Sequence, residues 1–238
     1  MIILELTEQQ MFDYIYCPAL YDFKYNKNVV LEKPKKISDL VNQVCNYFFM
    51  YIIEFKKIPS LAMLSNKYEK LYLKDKELFD DSKYTSGLFL LRNFYNWACQ
   101  EKLTPFSSNM PFALTIDDIK INGYTNPIIV NINSKTFEFL FLKYNNRLLD
   151  TNDLDTKLKF SLDCLAFNQN PDYKINVIKV KNIRNNKEYI TSRNNNDYKR
   201  IKSTIKNISN GIRNKVFYPS EGIKCKDCPY KYYCKAWN

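Results

Sequence analysis

The sequence predicts an α/β protein, and three observations carry that reading. Helix-period apolar residues fill most of the first hundred positions. Short β-branched and aromatic runs punctuated by Asn and Gly follow. A long amphipathic helix then precedes a terminal cysteine cluster. With 238 residues the chain can form one large domain or two small ones. At 45% hydrophobic and 26% charged residues it is neither disordered nor fibrous. No run approaches the roughly 18 uncharged apolar residues of a membrane span. The opening from Met1 to Glu5 and Glu8 does not look like a secretory signal, so a cytoplasmic location without a membrane partner is expected. There is no histidine, which excludes any mechanism that needs imidazole. The net charge of +11 favours a polyanionic partner. Abundant Asn, Lys, Ile and Tyr with only four Gly look like the codon bias of an AT-rich genome, as in a phage or mobile element, which weakens the functional reading of individual lysines.

Taken in order, residues 2–6 read as a strand, and Thr7 with Glu8 as a capped helix start; that helix ends near Cys17-Pro18. Residues 37–55 keep a helical period through Leu40, Val41, Val44, Phe48, Tyr51 and Ile52. Pro59 breaks that helix, and 61–73 and 87–99 are further helices. Residues 112–116, 119–121, 127–132 and 136–144 read as strands paired antiparallel. A helix over 153–167 carries Leu154, Leu158, Leu162 and Leu165 on one face. Strands at 174–181 and 188–191 flank a turn at Arg184-Asn185-Asn186. The last helix, 197–215, has an apolar stripe of Tyr198, Ile201, Ile205, Ile208 and Ile212, with Lys199, Arg200, Lys202, Lys206 and Arg213 elsewhere on it. No repeat or linker interrupts the chain, so a single domain over 1–238 is expected. It would comprise a mostly helical part (1–105), an α/β core (106–215) and a cysteine-cluster cap (216–238).

Seven cysteines without an export signal argue against a disulfide framework. Cys45, Cys99 and Cys164 lie in apolar segments and read as buried thiols. Cys225, Cys228 and Cys234 form Cys-x2-Cys-x5-Cys, a spacing that lets thiolates converge on a metal centre. Three ligands are one short of a closed tetrahedral site. Cys17, almost the whole chain away, is the best fourth.

Two segments carry a family resemblance. Tyr14-Ile15-Tyr16-Cys17-Pro18-Ala19-Leu20-Tyr21 is similar to a Tyr-x-x-Cys-Pro-x-x-Tyr/Phe opening. Phe217-Tyr218-Pro219 followed by Cys225-x2-Cys228-Pro229-Tyr230 and Cys234 is similar to a Tyr-Pro…Cys-x2-Cys-Pro-Tyr…Cys ending. With the order of elements between them, they resemble the iron–sulfur branch of the PD-(D/E)XK nuclease superfamily, that is, RecB/AddB-type nuclease domains and the CRISPR-adaptation exonucleases of the Cas-four type. The resemblance implies a restriction-endonuclease-like core, a central mixed sheet flanked by helices, with an N-terminal helical region and the cysteine cap. It also implies a [4Fe–4S] cluster on Cys17, Cys225, Cys228 and Cys234, with zinc on the same thiolates as the alternative.

Family nucleases hold a divalent metal on carboxylates, because hard cations need anionic oxygen and the metal must activate water and offset phosphorane charge. This sequence departs from that pattern. The His slot falls on Asn42, the Gly-x-x-Asp slot gives Asn126, and the Asp/Glu-x-Lys slot is Phe141-Leu142-Lys143. Lys159 and Asp163 stand where Gln-x-x-x-Tyr belongs. Glu138 lies on the same strand as Lys143 but points to the opposite face. Asp117 and Asp118 would need a shifted register, and a second frame of Asp163 with Lys179-Val180-Lys181 puts Lys where an acid belongs.

No catalytic residue is therefore expected, Asn42, Asn126, Phe141 and Lys143 being vestigial positions. Two readings remain besides surviving Mg- or Mn-dependent exonuclease activity. One is a DNA-binding or architectural subunit with non-sequence-specific contacts from Lys143, Lys179, Lys181, Arg184, Lys199, Arg200, Lys202 and Lys206. The other is a purely protein-scaffolding subunit of a larger assembly, to which the 16% aromatic content would lend interface.

Overall fold

The computed structural model describes residues 3–31, 35–131, 136–146, 150–170 and 174–237. Ile2 and Ile132, both expected in strands, lie outside the described residues. The elements run, in chain order, β1 (Leu4–Thr7), α1 (Glu8–Tyr16), α2 (Pro18–Tyr21), α3 (Ile37–Phe55), α4 (Leu61–Lys74), α5 (Asp81–Gln100), β2 (Thr104–Ser107), β3 (Pro111–Ile116), β4 (Ile119–Tyr124), β5 (Ile128–Asn131), β6 (Thr136–Lys143), α6 (Thr151–Asp155), α7 (Leu158–Phe167), β7 (Val177–Asn182), β8 (Glu188–Ser192) and α8 (Asn195–Arg213). The chain divides into two compact units. The first takes residues 1–34, 111–124 and 195–238, and the second 35–110 and 125–194. Among the described residues no helix is long and apolar enough to cross a membrane.

In the first unit, the Thr7 hydroxyl accepts from the Gln10 N–H (3.1 Å) and the Gln10 side chain accepts from the Thr7 N–H (2.7 Å), which satisfies two orphan donors at the start of α1. Its sheet has the order β1-β4-β3, with β1 parallel to β4 in the register Leu4↔Ile119. Asp117 and Asp118 form the turn between β3 and β4, Asp117 in the left-handed region at φ 53°. Their carboxylates are taken by α8, Asp117 by Lys206 (2.7 Å) and Asp118 by Arg213 (2.7 Å). The same helix buries Ile201, Ile205 and Ile208, the stripe its period predicts. Gly211 on α8 leaves room for Tyr14, whose hydroxyl donates to the Val216 carbonyl at 2.8 Å.

The second unit carries a five-stranded sheet in the order β2-β5-β6-β7-β8, antiparallel except for β6 beside β7. The four strands read as one antiparallel series therefore fall into two sheets: β3–β4 pair in the first unit and β5–β6 in the second. Strand β2 was not foreseen. Side-chain alternation along β6 sorts the layers. Leu140 and Leu142 join the apolar cluster of α3, α4 and α5, while Phe137 and Phe139 meet Phe167, and Phe141 meets Phe160, on α7 at 5.3–6.4 Å between ring centroids. The sheet is thus covered by helices on both faces, which a parallel β6–β7 crossover requires. α5 starts six residues earlier than expected because Asp80 caps it, accepting from the Lys83 N–H at 2.9 Å.

The single helix expected over 153–167 is two. Lys157 adopts an extended backbone (ψ 107°) between α6 and α7. The buried Arg193 clamps the break, donating to the Leu154 carbonyl (2.5 Å) and the Ser161 hydroxyl (3.1 Å). Cys45 and Cys164 are fully buried as expected, whereas Cys99 is half-buried.

Gly87 supplies a stability test. A Cβ there would sit 1.9 Å from the hydroxyl and 2.4 Å from Cζ of Tyr68, a fully buried ring. Alanine is the better helix former by about 1 kcal/mol, yet Gly87→Ala is expected to lower stability by about 1–3 kcal/mol through overpacking. A urea midpoint equal to or above the parent's would contradict this packing.

Candidate functional site

The vestigial positions come together in the second unit. A 240 Å³ cavity is lined by Asn42, Asn126 and Phe141 with Asp39, Ser38 and Tyr144. A second, of 650 Å³, is lined by Lys36, Phe141, Lys143, Tyr144 and Lys157. A third, of 370 Å³, adds Lys35, Lys83, Ser86 and Arg184. Ser38 and Tyr144 line all three, so they form one continuous groove.

Local structure explains who faces whom. Phe141 and Lys143 are two residues apart on β6 and share its α7 face. Asn126, in the loop before β5, donates its amide N–H to Asp163 Oδ2 at 2.7 Å. Lys159, one turn earlier on α7, donates to Asp163 Oδ1 at 2.6 Å. Asp163 is 1% exposed, so its charge needs such partners. Phe141 lies beneath a cation: the Lys157 ammonium is 3.9 Å from its ring centroid and 5.0 Å from that of Phe160. Burial and the neighbouring Lys143 hold Lys157 below the usual lysine range, against the pull of Asp163. Asn42 accepts from the Tyr144 hydroxyl at 2.9 Å. Burial, then Cys45 and Asp39, push that phenol well above the ordinary tyrosine range.

Sequence reasoning missed Lys157 and Tyr144. The signal for Tyr144 was its place directly after Lys143. Lys157 was hidden because an unbroken helix does not aim it at Phe141. The second frame fails on geometry. Lys181 is 2% exposed and donates to Glu188 Oε1 and the Asn186 carbonyl, each at 3.0 Å, and its register with Leu142 puts it on the sheet face opposite α7. The expectation that Lys181 contacts nucleic acid is corrected accordingly. Burial opposes ionisation of Glu188, but Lys181, Trp97 and Lys179 outweigh it and hold that carboxyl below its usual range. Lys179 lies between Glu101 and Glu188, and Arg184 is anchored on Ser86 (2.8 Å) and the Tyr144 carbonyl (3.1 Å). On α8, Lys199 and Lys202 are exposed, Arg200 pairs with Asp197, and Lys206 with Asp117.

The four cysteines gather in the first unit. Cys17, Cys228 and Cys234 pack around buried Ala19, Phe23 and Tyr230. Cys17 and Cys225 both touch Ser220, the first accepting from its N–H (3.4 Å) and the second donating to its carbonyl (3.8 Å). Burial, and then the nearby thiols of Cys17, Cys225 and Cys234, push the Cys228 thiol up. Among the described residues, no three thiols or carboxylates converge tightly enough to hold one metal ion.

No family model and no curated protein matches the sequence. A protein of Eubacterium rectale described as a candidate exonuclease is similar in structure over 96% of this chain and 87% of its own, with a TM-score of 0.61 at 10% identity. SSO0001 covers 97% of this chain and 95% of its own with a TM-score of 0.43 at 15% identity, too distant to bear on the argument. The first likeness shows the fold. The chain has the expected α/β class, a mixed sheet flanked by helices in a fold shared with that protein, with cysteines near the C-terminal end.

Two outcomes test the groove. Lys159→Met strands a buried carboxylate and is expected to cost about 3–5 kcal/mol, most of it recovered in Lys159→Met/Asp163→Asn; urea midpoints that fail to recover would refute the pairing. Lys157 has a folded pKa below its unfolded value of about 10.5. Between the two, the unfolded chain binds more protons, so stability rises with pH. Compared with Lys157→Met, the parent should gain stability as pH rises from the lowered folded pKa toward about pH 10.5; parallel pH curves would rule this out.

Proposed function

We propose that the protein is a nuclease-fold subunit that binds DNA without cutting it and is stapled by an iron–sulfur cluster. One observation carries the first half. Where a nuclease of this fold would hold a divalent cation on carboxylates, Asp163 is neutralised by Lys159 and capped by Asn126, and Phe141 lies beneath the Lys157 ammonium. Asn126 and Phe141 offer a divalent cation no anionic oxygen, and the ammonium groups beside them would repel it. The same positive groove suits phosphate. Lys36, Lys143 and Lys157 line it, and Lys199, Arg200 and Lys202 add exposed charge on α8. Contacts of this kind are independent of sequence and weaken steeply with salt.

The staple rests on the donor set. Cys17, Cys225, Cys228 and Cys234 are the cluster ligands in this reading. Four thiolates would serve a [4Fe–4S] cluster or zinc alike, and the resemblance of the two cysteine segments favours the cluster. When bound, such a cluster supplies four Fe–S bonds joining residues about two hundred positions apart, and the long loop it closes is where a cross-link stabilises most.

Labelled single- and double-stranded DNA incubated with Mg or Mn should remain intact, while binding falls linearly on a log–log plot against salt. Lys143→Ala should lower that slope by about one. Metal-dependent degradation that Lys143→Ala abolishes would restore the exonuclease reading. For the staple, anaerobically purified protein should contain iron and acid-labile sulfide, and Cys17→Ala should lose both. Zinc in their place, or iron indifferent to Cys17, would overturn it.

A further inference from the structure

We propose that the cysteine cap of the first unit is a stacking platform for single-stranded nucleic acid; this rests on the DNA-binding reading above and adds a site and a strand preference to it. The cap displays large aromatic rings to solvent. Tyr232 is 87% exposed, Tyr218 61%, and Tyr233 and Trp237 51% each. Soluble surfaces seldom expose grouped aromatics without a partner.

A lysine ammonium stands over one of these rings, and another over Tyr16 of the same unit. The Lys231 ammonium lies 4.5 Å from the centroid of Trp237, and the Lys224 ammonium 4.6 Å from that of Tyr16. Lys224 also donates to the Tyr16 carbonyl and the Ser220 hydroxyl (3.2 Å), which fixes it beside the ring. The Trp237 N–H donates to the Cys234 carbonyl at 2.9 Å, which anchors that ring's backbone to the cysteine segment. Residues 216–237 carry four lysines against Glu221 and Asp227. Aromatic rings with ammonium groups beside them, on a segment of net positive charge, favour a polyanion with flat faces over an apolar protein patch. A single strand is such a polyanion, because each base offers a flat π-face to a ring and each phosphate an anion to the adjacent lysine. A duplex keeps its bases stacked on one another and presents mainly phosphate.

The chain contains its own reporter. Of its two tryptophans, Trp97 is 5% exposed and bound to Glu188 at 2.6 Å, so a ligand in solution reaches Trp237. The full-length, cluster-containing protein would be titrated with a short oligothymidylate and with an abasic strand of equal length, reading tryptophan emission and the anisotropy of the labelled strand. Expected are quenching by oligothymidylate alone and about tenfold tighter binding than to the abasic strand, the size of one base–aromatic stack. Trp237→Ala should remove the quenching and the tenfold advantage while leaving abasic binding unchanged. Tyr232→Ala should lower the advantage with quenching retained. Equal binding of both strands with unchanged emission would sink the stacking platform and leave salt-sensitive DNA binding standing. Binding to neither would remove both.

Discussion

A carboxylate almost wholly withdrawn from water must have a cation beside it, and Asp163 imposes that requirement on the second unit. Lys159, four residues earlier on α7, supplies the charge, and Asn126 supplies the remaining donor from the loop before β5. Through this one acid the crossover helix is tied to the loop that opens the antiparallel half of the sheet. A buried pair of this kind adds little net stability, because desolvation cancels most of the Coulomb attraction. Its effect is to make one arrangement of helix and loop much better than its neighbours.

The strand β6 shows how a single alternation divides structure from chemistry. Its even positions feed the three-helix cluster, where Leu140 is buried with Phe48, Phe94 and Leu91. Its odd positions face α7 with three phenylalanines and then Lys143. Phe141 therefore keeps that row apolar up to Lys143. The ring also gives Lys157 a partner that is not a carboxylate, which is how three lysines share one groove.

Local physics was legible in the sequence, and remote pairing was not. The helix Ile37–Phe55 has the predicted ends, because its period is strong and a helix depends on neighbours three and four positions away. Thr7 announced its own cap. By contrast, nothing local in residues 112–144 says that β4 will pair with β1 more than a hundred positions earlier, so two sheets were read as one series. The break at Lys157 was equally hidden, since Arg193 enforces it from beyond the next two strands. At the groove, the altered positions Asn42, Asn126 and Phe141 were identifiable by type and spacing and do share a cavity. Lys157, which completes it, follows from the break, and so escaped notice.

The interleaving of the two units has a consequence for biosynthesis. The second unit ends at Asn194, so its parts are present before the cysteine cap is made. The first unit cannot close until then: Tyr14 waits for Val216, and Cys17 for Ser220 and the thiols beyond it. At about 5–20 residues per second, a separation of about two hundred residues is a delay of about 10–40 seconds. Throughout that interval the nascent chain carries β1 as an unpaired strand until β4 emerges, and Cys17 as a lone thiol. Until residues 216–238 emerge, that thiol lacks every neighbour from the chain's end that surrounds it in the finished unit, while all of the second unit has already been synthesised.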